Sequence, residues 1–163
     1  ERRIQTTAPV PMVIGGKSNE ELLQVLGKKR IHVDQSAMEK LENAQFTTLP
    51  ELLPILLAIG SVEGLAPNPK GKRATTEEIW RTRDEKGLAA VPAETALHYL
   101  IQHGDSLRVW DKLWMSMDPI AGLIGEPEVF EIGRDPNGLY LNSRLANPSS
   151  EWEPYDRLAF RIL

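Results

Sequence analysis

The chain has 163 residues, of which 41% are hydrophobic and 26% are charged, a composition typical of a soluble globular protein. It contains no cysteine, which excludes disulfides, a thiolate nucleophile and a zinc site built on sulfur. The sequence therefore favours a cytoplasmic location. The net charge of −4 argues against a dedicated binder of nucleic acid or of an anionic membrane, because both need a basic surface.

Residues 1–17 precede the first helix signal and are predicted to form an N-terminal arm, with a single α+β domain over residues 18–163. Within the arm, the stretch VIGGKS invites comparison with a phosphate-binding loop, G-x-x-x-x-G-K-[ST]. That loop would need its first glycine at position 11, which is Pro11. We therefore interpret Gly16, Lys17 and Ser18 as the approach to a helix.

Four helix starts are predicted from capping signals. Ser18 opens the capping box SNEE, and Thr75 opens a second one, TTEE. Asp34 precedes a third helix, with Val33 and Met38 placed as a hydrophobic staple. A fourth helix is predicted to begin at Pro92 and to stop near Gly104.

Strands are predicted mainly in the last third of the chain. The residues 112–117 and 157–163 alternate between apolar and polar positions, and the turn DPNG at 135–138 joins two further strands as a hairpin. An earlier buried strand is predicted at 54–59, because Pro54 would be costly inside a helix. These elements predict an α+β fold, with capped helix pairs packed on an antiparallel sheet formed mainly by the C-terminal third.

No catalytic constellation is recognisable in the sequence. The chain has no H-E-x-x-H pattern, no G-x-S-x-G elbow and no glycine-rich dinucleotide motif, so we predict no metal site, no cofactor and no assigned catalytic residue. One alternative stays open: an enzyme whose site is assembled from distant residues, with His98 as base beside a nearby acid.

A basic cluster at 70–73 leaves a second alternative open. Lys70, Lys72 and Arg73 could contact phosphate and bind nucleic acid weakly. No aromatic residue interleaves them, as a stacking surface for bases would require. The cluster is therefore better interpreted as a solvated loop.

Aromatic residues are concentrated in the last third, where they are interspersed with arginine and asparagine. Tryptophan, tyrosine and arginine together are typical of recognition surfaces. The aromatic residues concerned are Trp110, Trp114, Tyr140, Trp152 and Tyr155. From this region we select as candidate binding residues Arg134, Asn142, Trp152, Tyr155 and Arg157.

Several stretches resemble a recurring group of small bacterial proteins. They are GLAAVPAE, MDPI, EPEVFEIGRDPNGLYLN and WEPYDRLAFRIL, together with GKSNEELL and TTEEI nearer the start. The resemblance covers most of the chain, but it implies no activity, and no functional residue is carried over from it.

The sequence thus predicts a non-enzymatic binding or adaptor module. Its expected partner is another protein, rather than nucleic acid or a membrane, and the pattern leaves the oligomeric state open.

Overall fold

The structure, a computed structural model, describes residues 8–65 and 72–163 and combines helices with a large β-sheet, which confirms the predicted α+β class. The helices of the described residues are α1 (Asn19–Lys28), α2 (Gln35–Leu41), α3 (Val62–Leu65), α4 (Thr76–Glu85) and α5 (Thr95–His103). The strands are β1 (Val10–Ile14), β2 (His32–Val33), β3 (Leu53–Ser61), β4 (Ala74–Thr75), β5 (Leu88–Ala89), β6 (Lys112–Met115), β7 (Ile120–Ala121), β8 (Pro127–Asp135), β9 (Gly138–Leu145), β10 (Glu151–Trp152) and β11 (Arg157–Ile162).

Most strands belong to one sheet with the order β1-β3-β11-β6-β8-β9-β2, while β5 pairs with β11 and β7 with β8. The predicted hairpin is present as β8 and β9. The sheet is mixed rather than antiparallel throughout, since β6 pairs with β11 and β2 with β9 in parallel. Parallel strands are joined by a long crossover connection rather than by a tight turn. Local turn signals in the sequence therefore do not predict which strands pair in parallel. A separate two-stranded sheet joins β4 and β10.

Residues 10–14 of the predicted N-terminal arm belong to the large sheet. They form β1, which pairs antiparallel with β3 and buries Met12 and Ile14. Pro11 in this stretch is compatible with a strand because β1 lies at the edge of the sheet, where a missing N–H need not pair. Residues 1–7 lie outside the described part of the chain.

Three helix starts follow the capping signals. The side chains of Ser18 and Glu21 form a reciprocal capping box at α1, and those of Thr75 and Glu78 form another at α4. Asp34 occupies the N-cap position of α2, although its side chain makes no capping hydrogen bond. The fourth helix starts later than its signal predicts: α5 begins at Thr95 rather than at Pro92, because residues 92–95 first make a separate turn.

One hydrophobic core connects the helices to the large sheet. Helix α5 contributes Ala96, Leu97 and Leu100 to it and packs on α1, β1, β8 and β9. Helix α2 covers β9. The alternating apolar residues of β3, β8 and β11 complete this core from the sheet side.

Strand directions bring several loops to the same end of the sheet. Strand β6 begins at Lys112, opposite Gly133 near the end of β8, and β9 begins directly after β8. Because β11 is parallel to β6 and β2 is parallel to β9, these strands also begin at this end. The segments that precede them therefore meet there, and they form the candidate site.

Candidate binding clefts at one end of the sheet

Two neighbouring clefts open at this end of the sheet. One, the Tyr155 cleft, has a volume of about 510 Å³ and is lined by Trp110, Asp111, Lys112, Trp114, Arg144, Glu153, Tyr155, Asp156 and Arg157. The other, the Tyr140 cleft, has a volume of about 480 Å³ and is lined by His32, Asp34, Trp110, Lys112, Glu131, Arg134, Asp135, Asn137, Tyr140 and Asn142. Trp110 and Lys112 line both clefts and so separate one from the other.

Trp110 is held in an unusual conformation on this boundary. Its φ of 76° lies in the left-handed region, which costs a non-glycine residue about 1–3 kcal/mol. Its N–H donates to the Arg134 carbonyl at 2.7 Å, and Asp111 accepts from the Arg108 N–H at 2.8 Å, so the turn is fixed to the end of β8. Trp110 nevertheless remains 70% exposed to solvent.

Tyr155 is the second exposed aromatic residue of the Tyr155 cleft, with 74% of its surface accessible. It lies in a tight turn in which the Asp156 N–H donates to the Glu153 carbonyl, while the Asp156 carboxylate accepts from the Glu153 N–H at 2.8 Å. The backbone that carries Tyr155 is therefore well defined. Arg157 follows this turn, as the first residue of β11, and lines the same cleft.

Arg134 and Asn142 line the Tyr140 cleft, but both make internal hydrogen bonds. The Arg134 guanidinium donates from Nε to the Leu107 carbonyl at 2.6 Å and so secures the segment that follows α5. The Asn142 Oδ1 accepts from the Ser36 hydroxyl at 2.9 Å. These contacts assign both side chains a structural role at the cleft wall.

Tyr140 is a poor proton donor or acceptor for chemistry at neutral pH. Burial raises the pKa of its phenol well above its usual value, and the neighbouring Glu131 and Asp135 carboxylates raise it further. Its ring fits against Gly133, where a Cβ would lie 2.5 Å from the Tyr140 hydroxyl oxygen. Tyr140 thus forms part of the cleft wall as a packed, neutral phenol.

Trp152 is not a surface residue, so the structure corrects its selection as a contact residue. The side chain is 0% exposed, its Nε1 donates to the Thr76 hydroxyl at 2.8 Å, and its ring packs edge-on to Trp114. The Arg144 guanidinium carbon lies 4.0 Å from its ring centroid and covers it. Because β10 pairs with β4, the indole is enclosed rather than presented to a partner.

His98 lies beside an acid, as the enzyme alternative requires, but the pair is deeply buried. His98 Nε2 is 3.0 Å from Glu94 Oε1, with relative exposures of 3% and 1%. The Glu94 carboxylate also accepts from the Gly15 N–H at 2.9 Å and from the Leu49 N–H at 2.6 Å. With its acceptors occupied and little exposed surface, this pair has a geometry that favours a structural role.

Of the basic cluster, Lys72 is exposed and Arg73 is paired with acidic side chains. Arg73 pairs with Glu151 at 3.4 Å and with Glu153 at 2.8 Å. Lys70 lies outside the described residues. Among the residues described, no group of three or more His, Asp or Glu side chains is placed to hold a metal ion.

A further groove of about 780 Å³ runs along β1, β3 and β11. Two of its polar side chains bind the edge of the sheet: Gln102 donates to the Val13 carbonyl and accepts from the Val13 N–H, and His103 contacts the Pro11 carbonyl. These contacts protect an exposed strand edge from pairing with other chains.

The sequence marks Trp110 only as one aromatic residue among several, and no pattern in it distinguishes Lys112. The sequence does contain a signal for an exposed Trp110. This residue lies in the polar stretch RVWDK, which has little of the apolar character of a buried segment. Its place between two clefts depends on the strand order and could not be inferred from this stretch.

Comparison of the chain with protein-family models, with curated proteins and with solved structures found no match. No helix within residues 8–65 and 72–163 combines the length and the apolar character that crossing a bilayer requires.

Proposed function

We propose that the protein is a non-enzymatic binding module that contacts another protein through Trp110 and Tyr155. The observation that carries this proposal is the placement of two largely exposed aromatic side chains on one cleft. Exposed tryptophan and tyrosine side chains are enriched among the residues that contribute most to binding energy at protein interfaces.

The backbone around these residues supports the same proposal. Both aromatic residues lie in turns fixed by internal hydrogen bonds, so little backbone freedom is lost on binding. The left-handed conformation of Trp110 is energetically costly, and the hydrogen bond from its N–H to the Arg134 carbonyl maintains it. The side chain gains no burial in the core in return, since it is exposed. A conformation of this kind is typical of functional positions.

The enzyme alternative has one supporting contact, the hydrogen bond between His98 and Glu94. It would require the buried pair to become accessible to a substrate. The absence of cysteine supports the accompanying proposal that the protein acts in the cytoplasm.

Site-specific photo-crosslinking in the native host tests the proposed surface. A photoreactive phenylalanine analogue is placed at Trp110, at Tyr155 and, as a control, at Ile124, which is exposed in the turn between β7 and β8 at the opposite end of β8. We expect the same protein adduct from positions 110 and 155 and none from position 124. Adducts from position 124 alone, or from none of the three, would contradict the proposal.

A further inference from the structure

We propose that the Tyr155 cleft binds an acidic side chain, Asp or Glu, within a segment of the partner protein. This inference rests on the proposed function, which assigns the cleft to a protein partner. The inference adds the chemistry of the contact. That chemistry follows from which polar groups of the cleft already have a partner within the chain and which have none.

The three carboxylates of the cleft are all engaged within the chain. Asp111 accepts from the Arg108 N–H at 2.8 Å. Asp156 accepts from the Glu153 N–H at 2.8 Å and from Arg144 at 3.3 Å. Glu153 itself pairs with Arg73 at 2.8 Å. Asp156 and Glu153 are thus each paired with an arginine, whereas the Asp111 carboxylate is held by a backbone N–H.

The cations of the cleft are only partly engaged. Arg144 pairs with Asp156, donates to the Glu151 carbonyl at 3.1 Å and lies over the Trp152 ring. Lys112 and Arg157 make neither a side-chain hydrogen bond nor an ion pair with any residue in the described part of the chain. Two positive charges in this cleft thus lack a negative partner.

A buried donor in the cleft wall also lacks a partner. Trp114 lines the cleft and is only 7% exposed, and its Nε1 finds no acceptor among the described residues. Leaving a buried N–H without an acceptor costs about 1–3 kcal/mol. The other buried indole of this region, Trp152, has its acceptor in Thr76.

The three groups of the cleft that lack a partner among the described residues are therefore all donors, and two of them are positively charged. A ligand that completes the cleft must supply acceptors and negative charge, which a carboxylate does. Charge-assisted hydrogen bonds to a carboxylate are about twice as strong as neutral ones. Trp110 and Tyr155 add apolar contact area at the rim, so the fitting segment carries an acidic residue next to an apolar one.

Selection from a displayed library of random unmodified 12-residue peptides tests this inference with the full chain. Peptides retained by the wild type are counter-selected against the Trp110→Ala/Tyr155→Ala variant, and the survivors are synthesised together with versions in which Asp and Glu become Asn and Gln. Binding of each pair is measured for the wild type, Lys112→Gln, Arg157→Gln and Trp114→Phe. Lys28→Gln, in the last turn of α1, is the matched control.

We expect the acid-to-amide change to weaken binding to the wild type roughly tenfold, the equivalent of one charge-assisted hydrogen bond. Lys112→Gln and Arg157→Gln should weaken the acidic peptide and leave its amide version unchanged, whereas Lys28→Gln should affect neither. Trp114→Phe should act in the same direction. If urea unfolding shows that Trp114→Phe is too unstable for binding measurements, Lys112→Gln and Arg157→Gln alone decide the result.

The possible failures are distinguishable. Peptides that need Trp110 and Tyr155 but bind equally well as amides would overturn the acidic partner and leave the proposed surface standing. The acidic partner is equally overturned if acidic peptides bind Lys112→Gln and Arg157→Gln like the wild type. A selection in which no peptide depends on Trp110 or Tyr155 would overturn the proposed surface itself, and the inference with it.

Discussion

The Glu94 carboxylate connects three separate parts of the chain. It accepts from the Gly15 N–H at the end of β1 and from the Leu49 N–H in the segment before β3, and its Oε1 lies 3.0 Å from His98 Nε2 on α5. Gly15 has a φ of 82°, and a Cβ there would lie 2.0 Å from the Glu51 carbonyl oxygen, so this close approach requires glycine. The residues that the sequence presented as a possible phosphate loop thus take part in a structural junction.

His98 makes this junction sensitive to pH. Burial lowers its pKa below 6.5, while the hydrogen bond to Glu94 acts in the opposite direction. The folded state therefore binds a proton less readily than the unfolded state does, and folding stability is complete above pH 6.5 and falls as the pH decreases toward the folded pKa. We expect wild-type protein to lose more stability in urea between pH 7 and pH 5 than His98→Gln does.

Equal losses of stability in the two proteins over this pH range would contradict the assignment of His98. A comparison of Tyr155→Ala with the wild type provides the control, because this exposed side chain lies outside the junction and its variant should retain the wild-type dependence on pH.

The residues of the clefts were predictable in type but not in role. Arg134, Asn142, Tyr155 and Arg157 do line the two clefts, yet Arg134 and Asn142 make internal hydrogen bonds and Trp152 lies in the core. Aromatic and basic residues have the same appearance in sequence whether they face a partner or a core. Only the neighbours supplied by other strands separate the two cases.

At the scale of single elements, local signals were the most reliable. The two reciprocal capping boxes, the turn between β8 and β9 and the strand around Pro54 are all present. Such features depend on hydrogen bonds and backbone preferences within a few residues, and these are legible in the sequence. The start of α5 is not legible in this way, because residues 92–95 form a turn that places Glu94 beside Gly15 and Leu49.

The helix caps give a direct test of this local determination. Thr75 accepts from the Glu78 N–H at 3.2 Å, so Thr75→Ala should lower the free energy of unfolding by about 1 kcal/mol. Asp34→Ala should cost clearly less, since the Asp34 side chain makes no capping bond at α2. Urea unfolding of both variants measures the difference, and equal costs would show that the two N-caps do not differ as described.

For the whole molecule, Trp152 joins the small sheet of β4 and β10 to the large sheet. Its ring contacts Trp114 of β6 at a centroid distance of 5.7 Å and Trp80 of α4 at 6.5 Å. These contacts connect segments that are far apart in the chain. They give the aromatic residues of the last third a role in the core as well as at the surface.

The contrast between Trp152 and Tyr155 can be measured. Trp152→Ala removes a fully buried indole and should lower the free energy of unfolding by about 3–5 kcal/mol. Tyr155→Ala removes an exposed ring and should change it by less than about 0.5 kcal/mol. Chemical denaturation of both variants decides this assignment. A small loss for Trp152→Ala would mean that the indole is not enclosed in the core.

By itself, the amino-acid sequence determined the α+β class, the capped helices α1 and α4, the hairpin and the strand character of the last third. Each of these follows from periodicity or from hydrogen bonds within a few residues. The tertiary structure alone decided that β1 joins the sheet, that β6 and β11 are parallel, that Trp152 is enclosed and that Trp110 separates two clefts. These features arise from contacts between residues distant in the chain, and no local pattern in a single sequence encodes which distant strands become neighbours.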